Sequence, residues 1–164
     1  MRRFRTYNIP KNARGAAVAI GNFDGVHLGH QAIIGMARVQ AQKISAPLGI
    51  LTFEPHPRSF FSKKLDKDFP SFRLMNANAR FHRLEKLGVD LLLEIPFNQA
   101  LCELSDWEFS KKILNESFGL SHVVVGSDFC FGKDRGGTAR SLENHAAKLG
   151  FGLTIAKMKN HGNK

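Results

Sequence analysis

The order of elements in this sequence predicts an α/β fold: a three-layer sandwich with a five-stranded, mainly parallel sheet at its centre. Five apolar segments of strand length recur at wide spacing, and several are continuous rather than alternating, as in strands covered on both faces. They are residues 16–21, 48–53, 89–95, 121–126 and 151–157. Segments with helical periodicity lie between them, so strand and helix alternate four times, which favours right-handed crossovers and a parallel sheet.

Each connecting helix has a local signal of its own. Residues 105–118 open with Ser-x-x-Glu, a capping box, and two shorter helices at 76–87 and 141–149 each end at a glycine, Gly88 and Gly150. The first helix, 30–44, carries one apolar stripe with spacings of three and four residues, formed by Ile33, Ala37, Ala41 and Ile44.

Composition indicates one folded domain over residues 1–164. Hydrophobic residues make up 43% and charged residues 23%, which excludes a disordered chain, and no run approaches the roughly 20 apolar residues of a spanning helix. The first 15 residues lack the apolar core of a secretory signal. The two cysteines, Cys102 and Cys130, are far apart, so neither a disulfide framework nor a zinc knuckle is expected. We therefore expect a cytoplasmic protein.

The charge balance favours anionic partners. Lys and Arg number 24 against 14 Asp and Glu, giving a net charge of +10. Nucleic acid, anionic lipid and small phosphorylated molecules all fit that charge, and so does a solvated surface with no partner. Because 14 of the 16 aromatic residues are Phe, and no basic stripe has aromatics interleaved with it, we expect neither nucleic-acid nor membrane binding. The oligomeric state stays open.

Polar segments with several glycines follow the first and fourth predicted strands, at residues 21–30 and 126–137. If the first strand is central and the fourth lies beside it, both segments face one crevice at the carboxyl edge of the sheet, where ligands of such folds bind. In the glycine–histidine turn (residues 21–30), the helix beginning near Leu28 and the glycines favour a phosphate site. Those glycines are Gly21, Gly25 and Gly29.

Two histidines in this turn are candidate phosphate ligands. His27 and His30 lie three residues apart, on one side of a first helical turn, where imidazoles donate hydrogen bonds to phosphate oxygens. Lys133 and Arg135 would close over the other end of a polyphosphate. Two alternatives remain open: a metal site with Asp24 as third ligand, and a helix cap with local packing. Neither a P-loop nor a dinucleotide fingerprint is present.

An irregular segment, residues 54–73, follows the second predicted strand. Its prolines, Pro55, Pro57 and Pro70, prevent a helix from starting directly. Phenylalanines recur in and beside it, and a loop of this length is more often functional than idle. The alternative is a flap that only covers the core.

Four blocks of this sequence resemble one known family. His27-Leu28-Gly29-His30 is similar to the HxGH signature of Rossmann-like nucleotidyltransferases, and the longer string 20–31 resembles the adenylyltransferase (FAD synthetase) module of prokaryotic bifunctional riboflavin kinase/FMN adenylyltransferases. Residues 52–61, 97–109 and 125–132 agree in the same order, and the resemblance covers about 15–158. A Rossmann-like fold is therefore implied.

The resemblance implies transfer of AMP from ATP to FMN with Mg²⁺, giving FAD and pyrophosphate, and no metal ligand from the protein. It implies three catalytic residues: His27, His30 and Asp128. The candidate ATP-binding residues are Gly21, Phe23, Asp24, Gly25, Gly29, His30, Lys133 and Arg135. An apolar wall suits an isoalloxazine ring, and the resemblance places Pro55, Pro57, Phe61 and Phe131 there for FMN.

Two family features are missing from these residues. Relatives carry a Ser/Thr-rich segment ending in arginine soon after the fifth strand, whereas no Ser or Thr follows Thr154 here, and no riboflavin kinase barrel follows. The expectation is a module truncated at its C-terminus, with impaired turnover as one open outcome. The alternatives are a non-catalytic flavin- or nucleotide-binding module and another HxGH transferase acting on a pantetheine, nicotinate or glycerol phosphate.

Overall fold

The computed structural model describes residues 1–23, 28–55, 57, 60–61 and 76–157. The strands are β1 (Arg2–Phe4), β2 (Ala17–Ile20), β3 (Leu48–Glu54), β4 (Leu91–Pro96), β5 (His122–Gly126), β6 (Cys130–Phe131), β7 (Gly137–Thr138) and β8 (Gly152–Ala156). Within the described residues, six of them form one sheet in the order β1-β4-β3-β2-β5-β8, and every neighbouring pair is parallel. The other two, β6 and β7, pair as a short antiparallel ribbon. The predicted α/β class and parallel sheet are confirmed.

The predicted strand count of five is wrong by one, because β1 adds a sixth strand at the edge of the sheet. β1 pairs with β4, with Arg3 opposite Leu92. Its sequence, Arg-Arg-Phe, has no apolar run, so hydrophobic patterning gives no sign of it. Long-range contacts hold it instead, since Arg3 and Arg5 both donate to the buried carboxylate of Glu94 on β4.

The helices follow the predicted caps. Ser105 and Glu108 form the reciprocal capping box, and Gly88 and Gly150 take left-handed φ values of +83° and +86°. The predicted helix 105–118 is a short capped turn that continues as a π-helix. The helices are α1 (Leu28–Ile44), α2 (Ala77–Lys86), α3 (Gln99–Cys102), α4 (Asp106–Glu108), the π-helix (Phe109–Ser117) and α5 (Ala139–Leu149).

Two apolar clusters cover the two faces of the sheet, which makes the predicted three layers. Alternate residues of β2 point to opposite faces: Ala17 and Ala19 pack with α1 and α2, whereas Val18 packs with the π-helix and α5. The predicted stripe of α1 is buried except for its last member, Ile44, which is 47% exposed. No helix in the described part of the chain is long and apolar enough to cross a membrane.

The direction in which strands are added reverses beside β2. The chain moves outward from β2 to β3 and β4, then returns to place β5 on the other side of β2, followed by β8. β2 and β5 are parallel neighbours, with Ala19 opposite Val124, so both end at the same edge of the sheet. The prediction that the fourth strand lies beside the first is confirmed, and this reversal is where α/β sheets of this type bind ligands.

Candidate active site at the carboxyl edge of the sheet

The segment after β2 carries the first group of predicted site residues. Gly21 donates its amide to the carbonyl of Leu51 (3.1 Å), which extends the pairing of β2 with β3. Phe23 is fully buried with φ of +52°, an uncommon conformation for a residue with a side chain. The His30 ring lies with its centroid 5.0 Å from that of Phe23. Phe23 thus packs against the half-buried imidazole of His30.

The remaining predicted residues of this segment divide into two groups. Gly29 and His30 lie in the first turn of α1, as expected for a site at a helix N-terminus. Asp24, Gly25 and His27 lie outside the described residues. The phosphate role of the turn, and the alternative of a metal bound by Asp24, His27 and His30, therefore stay predictions.

The segment after β5 places Asp128 at the same edge. Ser127 donates its amide to Ala156 (2.8 Å), and Phe129 donates to Gly126 (3.0 Å), which closes a tight turn with Asp128 exposed near its tip. Since β2 and β5 are parallel neighbours, the Asp128 turn and the first turn of α1 lie at the same edge of the sheet. The chemical role of Asp128 remains a prediction.

Lys133 and Arg135 are exposed in a turn on the other face of the sheet from α1. The turn is fixed from beneath: Lys133 donates its amide to Leu104 (2.8 Å), and a Cβ on Gly132 would lie 2.7 Å from the backbone nitrogen of Asp106. The φ of Gly132 is +79°, so a glycine is needed for both conformation and space. Both cationic side chains reach solvent, and their contact with a polyphosphate stays a prediction.

A continuous layer of phenylalanine rings runs along the carboxyl ends of β3, β4 and β5. Seven rings of the described residues contact one another in sequence, with centroids of neighbours 5.2–6.4 Å apart. From one end to the other they are Phe61, Phe60, Phe97, Phe53, Phe109, Phe131 and Phe129. Aromatic rings at these separations gain stabilisation beyond the burial of their surface.

The predicted flavin-side residues differ in how much surface they offer. Phe61 is 42% exposed, Pro55 is exposed and Pro57 is half-buried, so these three are accessible. Phe131 is only 6% exposed, because Phe129 stacks on it at 5.2 Å with an interplanar angle of 14°. Phe131 therefore supports the layer from inside, and its contact with a flavin stays a prediction.

Two half-buried rings that sequence reasoning missed, Phe97 and Phe129, lie at the accessible rim of this phenylalanine layer. Both belong to blocks on which the resemblance rests, 97–109 and 125–132, so the signal was present in the sequence. The sequence does not distinguish these two rings from the other phenylalanines, because the exposure of each ring depends on which other rings pack against it.

A buried arginine beneath the crevice is the second feature that sequence reasoning missed. Arg80 of α2 is fully buried. Its Nη1 donates to the carbonyl of Asn22 (3.2 Å) and to Thr52 Oγ1 (3.4 Å). Its Nη2 donates to Glu54 Oε1 (3.1 Å) and Glu94 Oε2 (2.9 Å). One guanidinium therefore ties together the carboxyl ends of β2, β3 and β4.

Glu94 is the anion on which these arginines converge. Its side chain is fully buried and accepts hydrogen bonds from Arg3, Arg5 and Arg80. Burial alone would raise the pKa of Glu94, but the three guanidinium groups outweigh it and lower the pKa to about 2. The carboxylate is therefore ionised at neutral pH.

A serine, a histidine and an aspartate also meet on the other face of the sheet. Ser110 Oγ lies 2.8 Å from Nδ1 of His145, and Nε2 of His145 lies 3.5 Å from Asp106. Ser110 is fully buried, so it offers no nucleophile to a substrate. Burial, with a smaller effect of Lys148, lowers the pKa of His145 against the opposing effect of Asp106, so the imidazole is neutral at pH 7. This cluster packs the π-helix on α5.

Comparison with known proteins shows which family this chain belongs to. The model of the FAD synthetase family matches residues 9–164. A bifunctional riboflavin kinase/FMN adenylyltransferase of Pseudomonas fluorescens is 38% identical over 92% of this chain and 47% of its own length. The protein of the same name from Haemophilus influenzae is 33% identical over 88% of this chain and 46% of its own. The chain thus spans about half the length of the curated relatives it matches.

A solved structure shares the fold. A crystal structure described as a macrolide-efflux protein from Streptococcus pneumoniae superposes with a TM-score of 0.79, at 23% identity, over 98% of this chain and 52% of that one. At this identity the likeness concerns the fold alone.

Proposed function

Since this chain belongs to the FAD synthetase family, we propose that it transfers AMP from ATP to FMN, forming FAD and pyrophosphate. In the proposed step, a phosphate oxygen of FMN forms a bond to the α-phosphorus of ATP. The bond from that phosphorus to the bridging oxygen of the β-phosphate breaks, and pyrophosphate leaves with that oxygen. No covalent intermediate with the protein is part of the proposal.

The adenylate side of the proposed site is the crevice between β2 and β5. Backbone amides at the start of α1, together with Gly21 and Gly29, would hold phosphate oxygens, since a helix N-terminus carries partial positive charge. His30, supported by Phe23, would donate a hydrogen bond as charge develops on the transferring group, with His27 beside it in the proposal. Positioning and electrostatics carry most of the catalysis in reactions of this kind.

The flavin side of the proposed site is the accessible end of the phenylalanine layer. Phe61 exposes 42% of its surface beside Pro55 and Pro57. Rings of this kind offer an apolar, polarisable surface to an isoalloxazine ring. Phe97 and Phe129 extend that surface along the same edge of the sheet, toward the turn that carries Asp128.

Mg²⁺ would accompany ATP in this proposal. Within residues 1–23, 28–55, 57, 60–61 and 76–157, no group of three or more His, Cys, Asp or Glu could hold a metal ion. In the proposal Mg²⁺ is held mainly by nucleotide phosphates and water, and Asp128 is an exposed carboxylate in the turn after β5. The ion, when bound, neutralises charge on the phosphates.

We also propose the cytoplasm as the compartment in which this reaction takes place. Both cysteines of the chain, Cys102 and Cys130, are free thiols, and Cys130 is exposed. Free exposed thiols are typical of reducing compartments.

The observation that carries the proposal is the phenylalanine layer at the same sheet edge as the first turn of α1. Its test uses the chain with FMN, first alone and then with ATP and Mg²⁺. We expect quenching of flavin fluorescence on binding, and conversion of FMN to FAD resolved by chromatography. Quenching without FAD would support a non-catalytic binding module. No quenching at micromolar protein, or adenylylation of another phosphorylated acceptor in place of FMN, would overturn the flavin assignment.

Two substitutions, each compared with the unsubstituted chain, test whether the proposed residues bind FMN and promote the transfer. Phe61→Ala should weaken FMN binding, whereas Ile44→Ala, which removes an equally exposed apolar side chain (47%) at the far end of α1, should leave it unchanged. His30→Gln should lower kcat/KM about 100-fold while flavin binding persists. Equal effects of Phe61→Ala and Ile44→Ala would contradict the assigned flavin wall.

A further inference from the structure

Arg80 is a fully buried cation that touches both halves of the proposed site. Nη1 donates to the carbonyl of Asn22, which precedes the undescribed part of the glycine–histidine turn. Nη2 donates to Glu54, directly before Pro55 at the start of the flavin-side segment. The distance between Nη1 and Nη2 is fixed by the planar guanidinium group, so the two loop origins are set relative to each other.

We propose that Arg80 is a positioning residue that fixes the adenylate-side and flavin-side segments relative to each other. The proposal rests on the proposed function, since it assigns two substrates to the two segments. An in-line transfer needs both substrates placed with sub-ångström accuracy, and a displacement of about 1 Å can cost roughly 100-fold in rate. A single rigid group beneath both segments supplies such a constraint.

The packing around Arg80 favours a functional constraint over simple filling of the core. Among the described residues, Arg80 Nε and Asn22 Oδ1 are buried without a hydrogen-bond partner. Burying polar atoms without partners is costly and calls for a specific reason in a native structure. An apolar side chain at this position would remove the unpaired Nε, but it would donate neither to the Asn22 carbonyl nor to the Glu54 carboxylate.

Glu94 makes the buried cation tolerable without fixing the loops itself. It lies on β4, holds Nη2 of Arg80 at 2.9 Å, and accepts hydrogen bonds from Arg3 and Arg5 as well. Its low pKa keeps the balancing negative charge in place at neutral pH. Glu94 therefore balances the charge of Arg80, whereas the contacts to Asn22 and Glu54 position the loops, and substitutions can test the two roles separately.

Thr52 and Glu54 each contact one arm of Arg80, so substitutions at these two positions weaken the two arms separately. Thr52 Oγ1 donates to the Asn22 carbonyl (3.1 Å) and accepts from Arg80 Nη1. Thr52→Val should therefore raise KM for ATP more than for FMN. Glu54→Gln keeps the shape of the side chain but removes its charge, and should raise KM for FMN more than for ATP.

The main test is Arg80→Met, with Arg80→Lys as the conservative variant. Lysine keeps the charge without the fork, so it should fold at least as well as methionine yet still lose the link between the segments. We expect both variants to lower kcat of the folded protein about 100-fold, and to raise KM for ATP and for FMN about tenfold each. Arg83→Met, on the exposed side of the same helix, is the matched control and should leave both KM values unchanged.

A purely structural role gives a different pattern. It would lower apparent kcat in proportion to the folded fraction and leave KM of the folded molecules unchanged. Folded Arg80 variants with normal KM for both substrates, or with a change for one substrate only, would overturn the proposal.

Amide hydrogen exchange gives a readout that does not depend on turnover. In Arg80→Lys, the amides of residues 21–23 and of Phe53 and Glu54 should exchange faster, while β5 stays protected. Unchanged exchange in both segments would also overturn the proposal. If the unsubstituted chain makes no FAD, the proposed function fails, and the exchange result still decides whether Arg80 fixes the two segments.

Discussion

Glu94→Gln should destabilise the protein strongly at neutral pH and much less in acid. The substitution keeps the size of the side chain but removes the charge that faces Arg3, Arg5 and Arg80. The pKa of Glu94 falls from 4.5 to about 2 in the folded protein. That difference corresponds to about 3 kcal/mol of folding free energy at pH 7.

The sign of the pH dependence follows from the lowered pKa. The stabilisation by ionised Glu94 is fully present above pH 4.5 and is lost as pH falls toward about 2. The gap between the unsubstituted chain and Glu94→Gln should therefore shrink from about 3 kcal/mol at pH 7 to about 1.5 kcal/mol at pH 3. For a domain of this size, the gap at pH 7 amounts to about 6–12 °C in Tm.

Urea denaturation of both proteins at pH 7 and pH 3 measures this gap. Glu143→Gln, an exposed carboxylate on α5, is the control and should change stability by less than about 0.5 kcal/mol. A Glu94→Gln protein as stable as the unsubstituted chain at pH 7 would refute the reasoning. A gap of equal size at both pH values would refute it as well.

Three further predictions concern local features. Gly150→Ala, at φ +86° with no atom near the new Cβ, should lower the free energy of unfolding by about 1 kcal/mol. Gly132→Ala, at φ +79° with Asp106 in the way, should lower it by at least about 1 kcal/mol more, and equal losses in urea denaturation would contradict this. Because the pKa of His145 is lowered in the folded protein, unfolding takes up protons below pH 6.5, and Tm should decrease as the pH is lowered through that range. His145→Gln should make Tm depend less steeply on pH, and an unchanged dependence would contradict this prediction. Ser105→Ala should cost about 1 kcal/mol by calorimetry through loss of the capping box, and an unchanged Tm would show that the cap is redundant.

Local patterns predicted most of the architecture, because the signals that define central strands and helix ends lie within a few residues. The apolar runs of β2 through β5, the capping box at Ser105 and the glycines at 88 and 150 all appear where the sequence predicts them. β1 escaped because its pairing depends on Arg3 reaching Glu94, 91 positions away. No short stretch of sequence contains both residues of that contact, so a local pattern cannot predict it.

The site was only partly predictable for the same physical reason. Glycines and histidines after an apolar run predict a phosphate turn from local sequence, and the alternation of strands predicts that Asp128 lies at the same edge of the sheet. Arg80, in contrast, looks like any surface cation of α2, and its burial depends on Asn22 and Glu54, which are 58 and 26 positions away. The stacking of Phe129 on Phe131 likewise becomes visible only in three dimensions.

The most direct test of the central claim follows the α-phosphate of ATP. The chain is incubated with FMN, Mg²⁺ and ATP labelled at the α-phosphorus, and in a parallel reaction with ATP labelled at the γ-phosphorus. We expect the α-label in FAD and the γ-label in pyrophosphate, in equal amounts. Label from the γ-position in a flavin product, or release of labelled AMP with FMN unchanged, would contradict adenylyl transfer to FMN.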